Sequence, residues 1–382
     1  MNSIPELSDE FFRIARERYS DDAFWLGEDE AAVRRQFSTA NDYFRTGRAW
    51  AETAEGCRLA GFFNPEQRIN DEAVAYFGFW ENSGDTDAVL NAQRDLFARF
   101  ERWAAEQGAE RIYGPINFNT YGPYRLRLAD EQGGMPGPVF AGEPYNPLSY
   151  GEQLQALGYD IHYRYYTRIN NNLPALARQM EKPLAQALQQ LQGEFIVSRL
   201  DGDTWMNNLP ELYPLIDRMF RQNFAYSPIS EAQFVAACGE PFARKLCPQS
   251  SVLVRHKSGA IAGFFLSYPD YSPLQVAGPL MKAADISYAQ HAALLPEPRL
   301  ALAKTGAIHP DYRQAGLFTL MSMQLTCWAA PHYQRVAAAL VREDNPSLRY
   351  AHNGEEVRVY GLFTKQLASA AVQEGSAAAQ EG

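Results

Sequence analysis

Residues 305–318, Thr-Gly-Ala-Ile-His-Pro-Asp-Tyr-Arg-Gln-Ala-Gly-Leu-Phe, carry the clearest chemical signal in the chain. An apolar strand runs up to Ile308, and a turn follows at His309-Pro310-Asp311. Arg313-Gln314-Ala315-Gly316 then opens directly into the amphipathic run from Leu317 to Trp328. A strand feeding a glycine-containing turn and then a helix N-terminus suits a pyrophosphate. The first helical turn has N–H groups without helical partners and a partial positive charge. Gly316 lets the backbone approach a ligand closely. The expectation is a nucleotide-tailed cofactor at this turn. The alternative is a plain strand–helix turn, in which Arg313 would sit unfavourably near the positive end of the helix.

A second constellation lies in the first half. Asn117, Asn119, Tyr121, Tyr124, Arg125 and Arg127 form a polar, aromatic loop after an apolar strand, and Gly114-Pro115 and Gly122-Pro123 stiffen it. Such a loop suits a ligand pocket in a cleft between two halves, or an internal network that holds the halves together. Glu143 is a candidate partner for Arg125, Arg127 or a substrate amine. The sequence holds no metal-ligand pattern and no Ser/His/Asp or Cys/His arrangement. Cys327 falls on the apolar face of a helix and reads as core.

The elements that must position these residues follow from periodicity. Ala49–Glu52 and Cys57–Phe63 read as paired strands, and Ala73–Trp80 as a buried third. Asp87 to Gln107 is a strong helix, with Leu90, Leu96, Phe97, Phe100 and Trp103 at helical spacing and Gly108 as its stop. Strands at 111–117 and 159–169 flank a short helix at 149–157. Leu173 to Leu191, polar and rich in Gln, reads as a connecting helix. The second half repeats the order: a strand at 195–200, helices near 209–220 and 230–238, and a hairpin at 251–268. A strand at 300–308, the helix from Leu317, and strands at 336–341 and 357–363 follow. The matching order predicts a duplicated α/β domain with mixed, mostly antiparallel sheets. The expected division is 1–172, a connector at 173–193, a second unit at 194–366 and a disordered polar tail at 367–382.

Bulk composition bounds the functional class. A chain of 382 residues with 46% apolar content, 22 Phe, 21 Tyr and 6 Trp can fill two cores. No run reaches the roughly 18 apolar residues of a membrane span, and no signal peptide is visible. Four scattered cysteines fit a reducing cytoplasm better than a disulfide framework. A net charge of −10 argues against nucleic acid as a partner.

Arg313-Gln-Ala-Gly316-Leu-Phe318 resembles the (Arg/Gln)-x-x-Gly-x-(Gly/Ala) signature of the GCN5-related N-acetyltransferase (GNAT) superfamily. It departs at the third anchor, where Phe318 replaces a small residue. Arg342-Glu-Asp-Asn345-Pro-Ser-Leu-Arg-Tyr350-Ala-His352 stands where the superfamily has its Asn-containing helix. The first half resembles the same fold without the signature. Its equivalent join, Trp80-Glu-Asn-Ser-Gly-Asp-Thr-Asp87, is acidic and would repel a pyrophosphate. With Phe77-Gly-Phe79, Gly114-Pro-Ile-Asn117 and Glu143-Pro-Tyr-Asn-Pro147, it is similar to the first halves of bacterial tandem GNAT-like proteins.

The resemblance implies acyl transfer from acyl-CoA, acetyl or longer, to an amine of a small metabolite or amino-acid derivative, in specialised metabolism. It implies cofactor contacts from Ala307 to Phe318: a backbone oxyanion donor near Ala307 and Ile308, and the pyrophosphate turn at Arg313, Gln314, Ala315, Gly316, Leu317 and Phe318, with Asn345 beyond. It implies an acid to protonate the leaving thiolate, Tyr350 or His352, and a base among Lys304, Thr305 and His309. Tyr268 and Asp270 would line the acceptor pocket, with Asn117, Asn119, Tyr121, Tyr124, Arg125 and Glu143 across from them. Three alternatives stay open: an acyl carrier protein as donor, an aminoacyl-tRNA as donor, or a non-catalytic ligand-binding module.

Overall fold

The computed structural model describes residues 4–129, 138–276, 281, 283–351 and 354–368. The strands are β1 (Arg48–Ala54), β2 (Cys57–Ile69), β3 (Glu72–Asn82), β4 (Arg111–Gly114), β5 (Leu126–Leu128) and β6 (Asp160–Asn170), then β7 (Phe195–Arg199), β8 (Val252–His256), β9 (Ile261–Pro269), β10 (Leu300–Ile308), β11 (Arg335–Arg342) and β12 (Glu356–Gln366). The helices that matter here are α1 (Asp9–Arg18), α2 (Asp87–Glu106), α3 (Tyr150–Ala156), α4 (Leu173–Leu191), α5 (Leu209–Phe220), α6 (Glu231–Cys238) and α7 (Leu317–Ala329).

The strands form one 12-stranded sheet in the order β1-β2-β3-β4-β12-β6-β11-β10-β9-β8-β7, with β5 paired to β12. Two pairs are parallel, β3 with β4 and β10 with β11. Each is joined through a helix, α2 in the first half and α7 in the second, because a parallel pair needs a crossover. The remaining pairs are antiparallel. This is the mixed, mostly antiparallel sheet flanked by helices that the sequence predicts.

The helices cover both faces for reasons visible in their spacing. α2 turns Leu96, Phe97, Phe100 and Ala104 onto Phe77, Trp80 and Tyr159. Phe11 and Phe12 of α1 cover the opposite face with Phe62, Phe79 and Phe118. In the second half, Leu212, Ile216 and Phe234 of α5 and α6 pack on Leu253, Phe264 and Leu266. Leu317, Leu320, Met321 and Leu325 of α7 cover the other side. α4 connects the halves as expected, and it also packs Met180, Leu184 and Ala187 into the α7 core.

The last strand departs from the sequence-based grouping. β12 pairs with β4 (Phe363↔Gly114) and along β6 (Val357↔Arg168 to Thr364↔Asp160), so it completes the first-half sheet. β6 in turn carries pairing into the second half through β11 (Val336↔Asn170). Strand periodicity can assign residues 356–366 to a strand but not to a neighbour. The expected disordered tail lies, from residue 369 onward, outside the described residues.

Candidate active site

The site begins where two parallel strands part. β10 and β11 pair from Leu300↔Arg335 to Ala303↔Ala338. Beyond that, β10 follows β9 to Ile308, with a register shift between Ala303 and Thr305. β11 follows β6, with a shift between Ala338 and Val341, and Leu340 takes a φ of 60° in that shift. Among the described residues, the edge of β10 facing β11 therefore has no strand partner past Ala303.

Lys304 sits in the β10 irregularity and is half-buried, lining a cavity of about 1050 Å³ between the halves. Its Nζ lies 5.4 Å from the Phe140 ring centroid. A Cβ added to Gly142 would lie 3.8 Å from that nitrogen. Burial, and then the charge of Arg125, pull the Lys304 pKa down to about 7, while Glu143 opposes the shift. A lysine in this state exchanges protons near neutrality, as an ordinary lysine does not.

Glu143 is held from several sides. Its fully buried carboxylate accepts from Arg358 Nη1 at 2.6 Å, from the Phe140 N–H at 3.1 Å and from the Tyr360 hydroxyl. Arg127 Nη1 stands 3.9 Å away. Burial holds the Glu143 pKa above the usual carboxylate value although Arg358, Tyr360 and Arg127 pull it down. Of the two partners the sequence offered, Arg127 is the nearer to contact, and Arg358 is the one that sequence reasoning missed. The pairing Tyr360↔Tyr165 seats β12 beside β6, and a strand position alone does not disclose that neighbour.

Arg125 has a left-handed φ of 73°. Its guanidinium carbon lies 3.6 Å from the Tyr124 ring centroid and 4.3 Å from that of Tyr165. Both Tyr124 and Arg125 line the cavity. Asn117 accepts the Phe79 N–H at 2.9 Å, and Asn119 accepts the Tyr121 N–H at 2.9 Å, so both amides shape the loop. The Tyr121 hydroxyl lies 3.2 Å from that of Tyr226. Tyr268 is half-buried against the Phe140 and Leu302 cluster.

The segment from Thr305 to Phe318 has the strand–turn–helix form that the sequence predicts. Gly316 has a φ of 73° and begins α7, whose first turn has no side-chain cap. A Cβ at Gly316 would meet nothing within 4 Å, so the approach is open. Ala307 is buried, and Ala307 and Ile308 pair with Phe264 and Gly263 of β9. The Ala315 N–H donates to the Tyr312 carbonyl, which tightens the turn through Gln314, and Leu317 is buried beneath it. Two side chains stand where the motif does not anticipate them. Arg313 donates to the Met219 carbonyl at 3.2 Å and to Gln222 at 3.3 Å, at the C-terminal end of α5, where its charge opposes the helix dipole. Phe318 lines the cavity and lies over Gly306, where an added Cβ would come within 2.7 Å of its ring.

The proposed proton carriers are distributed unevenly. His309 accepts the Asp311 N–H at 3.2 Å and caps the turn after β10, away from the cavity lining. Asn345 lines the cavity, and its side chain accepts the Ser347 N–H at 2.9 Å. Tyr350 belongs to the short 3₁₀ turn Pro346–Ala351, and His352 lies outside the described residues. Among the described residues, no group of three or more His, Cys, Asp or Glu could hold a metal ion. Among them, too, no helix is long and apolar enough to cross a membrane.

The first half repeats the parting strands and closes them. β3 and β4 pair from Val74↔Arg111 to Tyr76↔Tyr113. Beyond that point, the Ile116 N–H donates to the Phe77 carbonyl at 2.7 Å and Asn117 takes the Phe79 N–H. A Cβ on Gly78 would lie 2.4 Å from Asn117 Oδ1. At the acidic join, Glu81 accepts from the Tyr19 and Tyr150 hydroxyls at 3.0 and 2.8 Å, and burial pushes its pKa up to about 7.

The chain's own topology, with two parallel strand pairs that each part after a crossover helix within a largely antiparallel sheet, has the mixed architecture expected from the sequence. Neither a family model nor a curated protein matches the chain. Among solved structures it is similar to a tandem GNAT protein from the clavulanic acid biosynthesis pathway, at 12% identity and a TM-score of 0.48 over 94% of each chain. It is also similar to the GCN5-related glucosamine N-acetyltransferase region of a fungal multi-domain GH3 β-N-acetylglucosaminidase, at 13% identity and a TM-score of 0.44, covering 91% of this chain and 37% of that one. A GCN5-related N-acetyltransferase from Sphaerobacter thermophilus aligns at 10% identity and a TM-score of 0.41, over 94% of this chain and 92% of the other.

Proposed function

We propose that the chain is an acyltransferase that moves an acyl group from acyl-CoA to the amine of a small metabolite or amino-acid derivative. One observation carries the reading: β10 and β11 part over a lysine whose pKa is about 7, at the edge of a large cavity. The unpaired edge of β10 suits an extended pantetheine arm, which can hydrogen-bond to it as an added strand would. The open, uncapped start of α7 at Gly316 suits the pyrophosphate. When bound, acyl-CoA supplies the thioester that the amine attacks.

The protein's own part is modest and well defined. The cavity orients the amine, and neutral Lys304 accepts a proton as the amine nitrogen forms its bond to the acyl carbon. The C–S bond then breaks, and the thiolate takes a proton from the lysine or from water. A calorimetric titration with acetyl-CoA and longer acyl-CoAs tests the reading, with the Arg313→Ala, Gly316→Glu double variant as control. Absence of wild-type binding at millimolar CoA overturns it.

A second reading is favoured by the placement of Arg313 on α5 and of Phe318 over Gly306. Both leave the turn with fewer groups for a pyrophosphate, as a donor presented on an acyl carrier protein would permit. Turnover with an acylated carrier protein, without binding of CoA, would select that donor.

A further inference from the structure

We propose that the acceptor carries a carboxylate and that Arg125 holds it in the interdomain cavity beside Lys304. The word acceptor rests on the acyl-transfer reading; the anion subsite rests on the geometry that follows.

Arg125 is 8% exposed and lines the cavity. Among the described residues its side chain makes one hydrogen bond, a long one from Nη1 to the Leu340 carbonyl at 3.4 Å. Its Nε is buried without an acceptor. Buried donors are normally satisfied, and a charged one left over is costly. The rings of Tyr124 and Tyr165 lie at 3.6 and 4.3 Å from the guanidinium carbon and fix its position. A guanidinium held this way is prepared for a ligand rather than free to find one.

The surrounding charges point the same way. Arg125, Arg168, Arg342 and Lys304 line this part of the cavity with Glu143, Arg342 is paired with Asp344, Arg168 has a buried Nε without an acceptor, and Arg127, Arg358, Arg335, Asp270 and Glu356 stand around them. Glu143 and Glu356 are already taken by Arg358, and Arg335 shares Glu356. Asp270 accepts the N–H groups of Ala141 and Ser272 at 3.2 and 3.0 Å. Arg127 has a buried Nη1 without a hydrogen bond and stands 3.9 Å from Glu143. Arg125 has no carboxylate of its own. It also lies close enough to Lys304 to lower that lysine's pKa, against the opposing pull of Glu143, whose carboxylate is already held by Arg358 and Tyr360. The guanidinium of Arg125 brings one positive charge to this space. A monoanion whose flat O–C–O matches a guanidinium edge fits it, which selects a carboxylate over a phosphate dianion. Burial is the larger cause of the low Lys304 pKa and persists with the subsite filled, so the lysine remains available to the amine.

The test uses the full chain without any acyl donor. The probes are the standard L-amino acids, each compared with its own carboxamide by calorimetry. At least one acid is expected to bind roughly tenfold or more tightly than its amide, the scale of one charge-assisted hydrogen bond. Arg125→Gln is expected to erase that preference. Arg125→Lys, which keeps the charge without the planar fork, is expected to keep part of it. Equal binding of acid and amide, an undiminished preference in Arg125→Gln, or no acid bound at tens of millimolar would each overturn the proposal. If the glutamine variant does not fold, the wild-type comparison and the lysine variant still decide. Proton uptake gives an independent readout: an anion beside Lys304 raises its pKa, so binding slightly above pH 7 takes up protons, and Lys304→Met abolishes this. Failure here leaves the acyl-CoA titration standing, and failure of that titration leaves this result standing.

Discussion

The two halves solve the same problem of strand geometry in opposite ways. Each has a parallel pair that parts after a few residues, β3 from β4 after Tyr76 and β10 from β11 after Ala303. In the first half the gap is filled by the Ile116 backbone and the Asn117 side chain, which bond to Phe77 and Phe79, and Gly78 leaves room for them. In the second half the gap stays open, and a half-buried lysine stands at its edge. The helix starts differ to match. α2 begins with Thr86 capping the Val89 N–H at 3.5 Å, followed by Asp87, whereas α7 begins at an uncapped glycine. A duplicated scaffold can therefore serve as a wall in one copy and a cleft in the other, with the difference residing in a loop and a cap.

The sharpest way to break that comparison is to place a negative charge at each join. Gly316 and Gly84 both have open space where a Cβ would go. Gly316→Glu sets a carboxylate against the pyrophosphate. A unit charge at contact is worth about 4 kcal/mol in partly screened surroundings, so acyl-CoA affinity should fall by roughly 10³-fold. The left-handed φ at Gly316 adds about 1–2 kcal/mol of strain. Thermal melts separate that strain from the loss of binding. Gly84→Glu should leave the affinity unchanged. Equal losses at the two positions would mean that the halves are not distinguished by this turn.

Lys304 marks the same contrast chemically. Lys304→Met should lower turnover by about 10²-fold, the usual contribution of a positioned base. In the wild type, turnover should rise with pH through about 7 as Lys304 loses its proton. In the variant that rise should vanish. Stability carries its own sign. The folded pKa is depressed below the ordinary lysine value, so the unfolded chain binds more protons between about 7 and 10.5. Wild-type stability should therefore climb with pH across that window, and the penalty is fully present below it. Lys304→Met should remove the slope and be the more stable protein at pH 6. Denaturant titrations at several pH values check this, and an unchanged slope would sink the assignment.

What the sequence made legible follows the range of each signal. The element order, the turn from His309 to Gly316 and the helix from Leu317 are local features, and all appear where periodicity and glycine placed them. The insertion of β12 between β4 and β6 is a long-range choice, and it decides which side chains meet Glu143. The sequence supplies Lys304 as a candidate base, but its low pKa arises from burial and then from Arg125 of the other half. The positions of Arg313 and Phe318 depend on α5 and β10, not on the motif that contains them.

Asn117 tests the closed side. Asn117→Ala removes the acceptor from the Phe79 N–H in a partly buried setting and should cost about 1–3 kcal/mol of stability. Acyl-CoA affinity should not change, because the second gap does not use that bond. A tenfold loss of affinity with an intact fold would show that the two gaps are mechanically joined.

Phe318 offers the finest adjustment, because it comes closest to playing in the second half the part that Asn117 plays in the first. Its ring lies over Gly306 and 5.5 Å from Phe265, at the edge of the open gap. Phe318→Ala gives up this aromatic contact, worth about 0.5–1.5 kcal/mol, along with part of the ring's burial. It also clears space beside β10. If the ring narrows the donor cleft, the variant should bind long-chain acyl-CoA severalfold more tightly relative to acetyl-CoA, while losing a little thermal stability. If it only supports the strand, both acyl-CoAs should weaken together. The ratio of the two affinities separates these outcomes without depending on how well the variant folds, since any loss of folded protein lowers both signals alike.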